Sequence, residues 1–303
     1  MIEIVQRASF LVADVLVADA TERRGAPLAS RQSPTYNLIP PKPNPGTFMV
    51  HPLLNLKNKT AVVIGGTSGI GLAISRGLAQ AGANVVPSSR RTEQVRAAAA
   101  EIEALGRLSL ALTCDVTDIA SLTQLLQSVC SKFGSVQILV NCAGRTKRMP
   151  TLEFPESEWH SILETNLNGT LRACRIFGRH MIERHYGRII NIATLSSFVA
   201  PYEVAYSTSK AAIASLTKCL ATEWATSGVC VNAIAHGVLP TDLNAALLDG
   251  TERDRELRAP IRRLEHLDEL GGAAVFLASD AASFVTGHLL AVDADFRTGG
   301  VNQ

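Results

Sequence analysis

The stretch "TAVVIGGTSGIGLAISRGLAQAG", residues 60–82, decides the fold. Five apolar or β-branched residues predict a buried strand, a glycine-rich loop follows, and an amphipathic helix runs to Gly82. Gly65 permits a tight turn, and Gly69 and Gly71 let a pyrophosphate and the helix approach the backbone closely. Exposed N–H groups at a helix start favour an anion. We therefore predict a phosphate-binding loop here, against the alternative of a merely tight turn. Its predicted ligands are Gly65, Thr67, Ser68, Gly69, Ile70 and Gly71.

Beyond this stretch, short apolar runs alternate with longer amphipathic ones. Strands are predicted at 60–64, 84–88, 108–116, 136–144, 187–193, 229–235 and 288–293. Helices are predicted at 69–82, 92–106, 118–133, 156–184 and 203–226. Such alternation is typical of a parallel sheet covered on both faces. The predicted fold class is α/β, a single Rossmann-like doubly wound domain with a seven-stranded parallel sheet flanked by helices. Its ligand crevice is expected at the carboxyl ends of the strands.

The first part of the chain has a different character. Residues 1–55 are predicted to be an N-terminal extension with a proline-rich linker, since prolines stand at 34, 40, 41, 43 and 45. Residues 56–303 are predicted to form one dinucleotide-binding domain. Met49 precedes the periodic pattern, which suggests that translation starts there in the natural protein.

Composition narrows the function classes for this chain of 303 residues. The net charge of +2 and the 5% aromatic content argue against a nucleic-acid partner. We expect no membrane partner, because no apolar run reaches the roughly 20 residues that a spanning helix needs. Six scattered cysteines without a CxxC pair predict buried thiols in a reducing, cytoplasmic compartment and no metal site.

Several short motifs follow the glycine loop in a set order. They are "CDVTD" with Asp115, "NCAG" at 141–144, "ETNLNG" with Asn166, "GRIINIA" at 187–193, and Tyr206 with Lys210. With the G-x-x-x-G-x-G loop, the set resembles the short-chain dehydrogenase/reductase family over residues 56–297. The resemblance implies a nicotinamide dinucleotide cofactor. It also implies cofactor contacts at Asp115, Val116, Asn141, Ala143, Gly144, Tyr206, Lys210, Gly237, Val238 and Thr241.

The end of the second strand bears on the choice of cofactor. An NAD-selective site places a carboxylate there to bind the ribose 2′-hydroxyl. This chain has Ser89 followed by Arg90, which could hydrogen-bond and neutralise a 2′-phosphate. We therefore predict NADP(H). The family resemblance gives Asp115 the role of accepting a hydrogen bond from the adenine amino group, and capping of the following helix is its alternative role.

Tyr206 and Lys210 are the predicted catalytic pair. Residues four apart share one helix face, and a nearby ammonium is expected to lower the pKa of a tyrosine. By resemblance, Lys210 also holds the nicotinamide ribose and Asn166 anchors a proton-relay water. Thr194 stands where the family has a serine that holds the substrate oxygen, and Ser196 is the alternative if the loop shifts.

The loop after the fourth predicted strand is basic. Arg145, Lys147 and Arg148 follow Gly144, and a guanidinium there could bind a substrate carboxylate. A solvated basic loop is the alternative. The loop resembles that of sugar-acid members of the family, such as gluconate 5-dehydrogenases. Residues 240–263 are predicted to form a mobile lid over this small-molecule substrate.

The sequence therefore predicts an NADP(H)-dependent oxidoreductase that interconverts a secondary alcohol and a ketone on a sugar acid or polyol. One alternative is a 3-oxoacyl-(acyl-carrier-protein) reductase. The other is a dinucleotide-binding protein with weak or no turnover, because Ile64, Thr194 and His236 depart from the family pattern. The resemblance further implies a homotetramer, assembled through the helices at 156–184 and 203–226.

Overall fold

The computed structural model describes residues 51–195, 203–237, 239, 261 and 263–294. Six strands form one parallel sheet: β1 (Thr60–Ile64), β2 (Asn84–Ser88), β3 (Ile138–Asn141), β4 (Gly187–Thr194), β5 (Val229–His236) and β6 (Leu289–Val292). The helices are α1 (Gly69–Gln80), α2 (Thr92–Ala104), α3 (Ile119–Phe133), α4 (Glu156–Leu163), α5 (Gly169–Ile182), α6 (Val204–Trp224) and α7 (Glu269–Ala278). The predicted α/β doubly wound architecture is confirmed.

The order of the strands positions the functional crevice. The sheet runs β2-β1-β3-β4-β5-β6, so the chain leaves β1 toward one edge and then returns to β1's other side with β3. Val62 of β1 pairs with Val86 of β2 and with Leu139 of β3. This reversal opens a crevice at the carboxyl ends of β1 and β3, where doubly wound folds bind their ligands.

Both faces of the sheet are covered, because side chains alternate along each strand. Ala61 and Val63 point to one face and pack in a core with residues of α1 and α7. Val62 and Ile64 point to the other face and pack with residues of α3, α5 and α6. All five residues of β1 are buried, as expected for a central strand.

The predicted strand at 108–116 is not a regular strand. Its backbone follows β2: the Val85 N–H donates to the Leu108 carbonyl at 3.2 Å, and the Cys114 N–H donates to the Ser89 carbonyl at 2.9 Å. Odd-numbered residues of β2 therefore turn their backbone groups toward this segment. Pro87 faces the same segment and has no N–H to donate. The row of backbone hydrogen bonds between β2 and this segment is therefore interrupted at its centre.

Two serine hydroxyls support the interrupted ladder. Ser88 donates to the Leu112 carbonyl at 2.6 Å, and Ser109 donates to the Val85 carbonyl at 2.7 Å. These bonds satisfy buried carbonyl groups where the regular backbone pattern is lost. The described residues thus contain six of the seven predicted strands, and the remaining one is an irregular segment held beside β2.

The long helix predicted at 156–184 is divided by one π-helical turn, Glu164–Asn168, between α4 and α5. The turn places Asn166 in a buried position. A second difference is α7, which the sequence analysis did not predict. It packs against α1 at a contact so close that a Cβ on Gly77 would lie 2.8 Å from the Cα of Gly271.

Candidate active site

The glycine loop has the backbone that the sequence predicts. Gly65 and Gly69 have φ angles of +82° and +48°, in the region that favours glycine. A Cβ on Gly65 would lie 2.5 Å from the Ala143 nitrogen, and one on Gly71 would overlap the Gly65 carbonyl oxygen. The loop is therefore drawn tightly between β3 and the start of α1. This leaves the N-terminal amides of α1 facing the crevice, which suits a pyrophosphate.

A cavity of about 490 Å³ lies above this loop. Most of the predicted cofactor residues line it, namely Gly65, Thr67, Ser68, Gly69, Ile70, Gly71, Ser89, Arg90, Asp115, Val116, Ala143 and Gly144. Ile64, Arg91, Cys114, Cys142 and Thr165 also line it and were not among those predicted. In the sequence, only the position of Arg91 next to Arg90 indicated that Arg91 could line the cavity. The cysteines and Thr165 gave no signal of their own.

The end of the cavity near β2 is polar and carries no acid at position 89. The Thr67 hydroxyl donates to the Ser89 hydroxyl at 2.9 Å, and the Arg91 N–H donates to the same oxygen at 3.3 Å. The Arg91 guanidinium reaches the Ser68 hydroxyl at 3.5 Å. Three hydroxyls and two guanidinium groups thus gather at this end of the cavity. Such a set can bind a phosphate.

Asp115 lies at the cavity wall in a compact turn. Its Oδ1 accepts hydrogen bonds from the Thr117 N–H at 2.9 Å and from the Thr117 hydroxyl at 2.8 Å. Burial acts to raise the pKa of Asp115, but these bonds and the charge of Arg90 outweigh it, so the pKa is lowered. The cap of α3 is Asp118, whose carboxylate accepts from the Ala120 N–H. The alternative capping role of Asp115 is therefore not observed.

The Asn141 side chain does not line the cavity. It is buried and donates to Asn191 Oδ1 at 2.9 Å, and Asn191 in turn donates to the Thr217 hydroxyl at 3.0 Å. These bonds link β3, β4 and α6 beneath the crevice. Asn141 thus fixes the spacing of the strands whose ends form the site.

Tyr206 and Lys210 lie on α6 with 9% and 5% of their surface exposed. The Lys210 Nζ is 5.6 Å from the centre of the Tyr206 ring and donates to the Ile192 carbonyl at 2.6 Å. Thr194, at the end of β4, is also buried, and its hydroxyl hydrogen-bonds with Tyr206. The structure therefore brings Tyr206, Lys210 and Thr194 together at the carboxyl edge of the sheet.

Gly144 connects these residues to the cavity. A Cβ on Gly144 would lie 3.4 Å from Asn166 Oδ1 and 3.9 Å from the Lys210 Nζ. Asn166 donates from Nδ2 to the Ser209 hydroxyl at 3.0 Å, which ties the π-helical turn to α6. All four predicted catalytic residues are thus neighbours of the cavity or of one another.

The pKa values of the pair differ from the expectation. Burial raises the pKa of Tyr206, with further increases from Glu203 and Cys142, and the Thr194 hydrogen bond opposes this rise. Burial lowers the pKa of Lys210 to about 8. The prediction that Lys210 lowers the Tyr206 pKa is therefore wrong for this structure. The reason is that desolvation of the phenolate dominates when the ring is buried.

The three basic residues of the loop after β3 contact acids. The Arg145 guanidinium pairs with Glu158 at 2.7 Å and also contacts Ser161, and the Lys147 Nζ lies 3.4 Å from Glu158. Arg148 pairs through Nε with Glu203 at 2.5 Å. Each basic residue of the loop thus has an acidic partner, while its own side chain stays 38–40% exposed.

The end of β5 is also fixed by hydrogen bonds. The Gly237 N–H donates to the Val292 carbonyl at 2.9 Å and to the Glu265 carboxylate at 3.1 Å. His236 is buried and its Nδ1 is 2.8 Å from the Gly237 carbonyl, and burial lowers the pKa of His236 to about 4. The predicted cofactor residues Val238 and Thr241, the alternative Ser196 and most of the predicted lid lie outside the described residues.

Neither a cluster of metal-ligating side chains nor a long apolar helix occurs among the residues that the structure describes. Its His, Cys, Asp and Glu side chains form no group of three or more that could hold a metal ion. None of the helices in those ranges has the length and apolar character that spanning a bilayer requires.

Comparison with known proteins adds a family to this geometry. A family model described as enoyl-(acyl carrier protein) reductase matches residues 65–296. The chain is 40% identical over 249 residues to a 2-dehydro-3-deoxy-D-gluconate 5-dehydrogenase of Bacillus subtilis (strain 168), covering 80% of this chain and 96% of the relative. It is 35% identical over 241 residues to a 3-oxoacyl-(acyl-carrier-protein) reductase of Escherichia coli (strain K12), covering 79% and 98%.

A solved structure is similar over the same region. The gluconate 5-dehydrogenase of Burkholderia cenocepacia J2315, in complex with NADP and tartrate, matches with a TM-score of 0.78 and 35% identity, covering 81% of this chain and 97% of that chain. The glycine loop, the parallel sheet, the Tyr206–Lys210 pair and these similarities agree. The chain belongs to the short-chain dehydrogenase/reductase family.

Proposed function

We propose that the protein is an NADP(H)-dependent oxidoreductase that interconverts a secondary alcohol and a ketone on a sugar acid or polyol. The observation that carries this proposal is the hydrogen bond between the Tyr206 phenol and the Thr194 hydroxyl at the carboxyl edge of the sheet, the edge where the cavity above the glycine loop also lies. A phenol and a hydroxyl together can hold a carbonyl or alcohol oxygen while a proton is transferred.

The residues around the cavity fit a dinucleotide. The glycine loop, in which a Cβ at Gly65 or Gly71 would overlap neighbouring backbone, would present the first amides of α1 to a pyrophosphate. Ser89, Arg90 and Arg91 at the polar end would hold a 2′-phosphate. A solved relative contains NADP, which supports the same choice. When bound, the nicotinamide supplies or accepts the hydride.

In the proposed mechanism, Tyr206 moves the proton. During alcohol oxidation Tyr206 takes the hydroxyl proton of the substrate, and during ketone reduction it returns the proton to the oxygen. Thr194 donates a hydrogen bond to the same oxygen and fixes its position. Lys210, whose Nζ lies 5.6 Å from the centre of the phenol ring, would hold the nicotinamide ribose. Asn166 holds the loop that carries Gly144 and Arg145.

The substrate class rests on the relatives. Two of the similar proteins bear the names of gluconate-type 5-dehydrogenases. A 3-oxoacyl thioester substrate is the second candidate, supported by the description of the family model and by the Escherichia coli relative.

The remaining parts of the proposal concern organisation. We place the catalytic domain at residues 56–303 and treat residues 1–55 as an extension. We further propose a homotetramer that works in the cytoplasm on a small-molecule substrate. Size-exclusion chromatography with light scattering would measure the assembly, and a monomer at working concentration would contradict it.

The function is tested by mixing the purified protein with NADPH or NADH and with a panel of ketones, and then following the loss of the reduced nicotinamide by absorbance. The panel contains 2-ketogluconate, 5-ketogluconate, a four-carbon ketose and an acetoacetyl thioester. We expect turnover with NADPH and a ketogluconate or ketose. Turnover of the thioester alone would establish the second candidate.

The Tyr206→Phe variant identifies the proton donor. It should bind NADPH as the original protein does, measured by nicotinamide fluorescence, and lose turnover by about 1000-fold or more. Binding without turnover by the original protein on every ketone would favour a dinucleotide-binding protein. A retained rate in Tyr206→Phe would show that another group moves the proton.

A further inference from the structure

An ion pair with a buried carboxylate lies at the start of the helix that carries the proposed proton donor. Glu203 immediately precedes α6 and is 5% exposed. Its Oε1 is 2.5 Å from Nε of Arg148, which reaches it from the loop after β3. The Arg148 side chain is 40% exposed, so the guanidinium joins a buried carboxylate to the open side of the site. Arg148 belongs to the basic loop that the sequence predicts to bind a substrate carboxylate, and Glu203 is not among the predicted site residues.

The backbone fixes Glu203 relative to Tyr206. Glu203 stands three positions before Tyr206, and the Ser207 N–H donates to the Glu203 carbonyl at 2.9 Å, which sets the first turn of α6. The charge of Glu203 acts on the Tyr206 phenol and raises its pKa. A carboxylate near a phenol disfavours the phenolate by charge repulsion. Arg148 lies on the same carboxylate and carries the opposite charge.

The other groups near Tyr206 come from each neighbouring strand. Cys142 faces it from the end of β3 and Thr194 from the end of β4. Lys210 lies one turn further along α6. His236, at the end of β5, acts electrostatically on Lys210 and is neutral near pH 7, because burial holds its pKa near 4. Within the described residues, Glu203 is the carboxylate whose charge acts on the phenol.

We propose that Glu203 and Arg148 are positioning residues that together set the pH at which Tyr206 releases its proton. The Glu203 carboxylate holds the proton on Tyr206, and the Arg148 guanidinium offsets that effect. This inference rests on the proposed function, in which Tyr206 moves the proton. It gives Arg148 a role that differs from binding the substrate, since a substrate anchor changes KM and leaves the pH dependence of kcat in place.

The pair is tested with Glu203→Gln, Arg148→Met and the double variant. The measurement is kcat for alcohol oxidation against pH, where the rate rises as Tyr206 loses its proton. Removing the carboxylate favours the phenolate, so Glu203→Gln should move the midpoint of the rise down by about 1 pH unit. Arg148→Met leaves the carboxylate unopposed and should move the midpoint up by about 1 pH unit. The double variant should return toward the original midpoint.

Matched controls separate this effect from structural damage. Glu158→Gln removes the acid that pairs with Arg145 and Lys147 and should leave the midpoint in place. NADPH fluorescence verifies that each variant folds and binds the cofactor. If Arg148→Met does not fold, Arg148→Lys keeps the charge, and its midpoint should stay near the original while Glu203→Gln still shifts.

The outcomes distinguish this inference from the proposed function. The inference is overturned if Glu203→Gln and Arg148→Met move the midpoint of the kcat–pH curve in the same direction, or if Glu203→Gln does not move it. In either case, turnover by the original protein still supports the proposed function. If no ketone or alcohol is turned over, the proposed function fails. The ionisation of Tyr206 is then measured by tyrosinate absorbance against a Tyr206→Phe reference, and the same two shifts in opposite directions are expected.

Discussion

Asn166 and Arg145 hold each other by two hydrogen bonds. The Arg145 N–H donates to Asn166 Oδ1 at 2.9 Å, and Asn166 Nδ2 donates to the Arg145 carbonyl at 3.0 Å. Asn166 is 1% exposed and lies in the π-helical turn between α4 and α5. One side chain therefore joins the helix to the loop that leaves the cavity.

Replacing Asn166 by alanine should leave the Arg145 backbone groups without these partners. We expect Asn166→Ala to lower the free energy of unfolding by about 1–3 kcal/mol and to reduce kcat at least about tenfold. Urea unfolding and steady-state kinetics measure the two effects. Asn168→Ala is the matched control, because Asn168 is exposed on the same turn and its side chain bonds to Glu164. Equal losses in both variants would contradict the prediction.

A side chain at Gly65 should disrupt cofactor binding. Gly65 has a φ of +82°, and its Cβ would push against Ala143, which lines the cavity. We expect Gly65→Ala to weaken NADPH binding at least about tenfold, measured by fluorescence titration. Gly134 also has a φ of +82°, but a Cβ there meets no atom within 4 Å. Gly134→Ala should therefore cost about 1 kcal/mol of stability and leave NADPH affinity unchanged.

The residue at position 89 should control the cofactor preference. An aspartate there would repel a 2′-phosphate and accept a hydrogen bond from a 2′-hydroxyl. We expect Ser89→Asp to lower the ratio of kcat/KM for NADPH over NADH by about 100-fold. Ser89→Asn has the same shape without the charge and should keep the preference for NADPH. An unchanged ratio in Ser89→Asp would place the selectivity elsewhere.

His236 should make the protein less stable in acid. Its pKa is lowered by burial to about 4, below the 6.5 of an exposed histidine. Between these values the unfolded chain binds a proton that the folded chain does not, so the free energy of unfolding falls as the pH decreases. The stability is fully present above pH ~6.5, and up to about 3 kcal/mol is lost on the way to pH ~4.

His236→Asn removes this titrating group and keeps a donor near the Gly237 carbonyl. Urea unfolding of the original protein and of His236→Asn should be measured over this pH range. The free energy of unfolding of the original protein should fall relative to that of the variant as the pH decreases. A difference that stays constant with pH would show that His236 is protonated in the folded state or exposed to solvent.

The features that depend on residues close together in the chain could be predicted from the sequence. The apolar runs fix the strands, because alternate residues must be buried on two faces, and the periodic runs fix α1 to α6. The glycines of the phosphate loop are dictated by backbone angles that other residues adopt at a cost. The ordered motifs, taken together, were sufficient to indicate the family.

The local sequence pattern does not indicate α7, and the reason is physical. Its segment contains Gly271 and Gly272 in succession, which weaken a helix in isolation. The helix is stabilised by its contact with α1, where Gly271 approaches Gly77 of a distant part of the chain. Helix propensity is a local property, whereas this packing depends on two segments meeting in space.

The charges of the site were decided by tertiary structure alone. The sequence shows three basic residues after Gly144, but their partners Glu158 and Glu203 lie on other elements. The same holds for Lys210, which bonds to the Ile192 carbonyl, and for Tyr206, whose burial raises its pKa. The sequence by itself determined which chemical groups the crevice holds. Only the fold decided which of them are desolvated and paired, because charge interactions depend on distance and burial rather than on order along the chain.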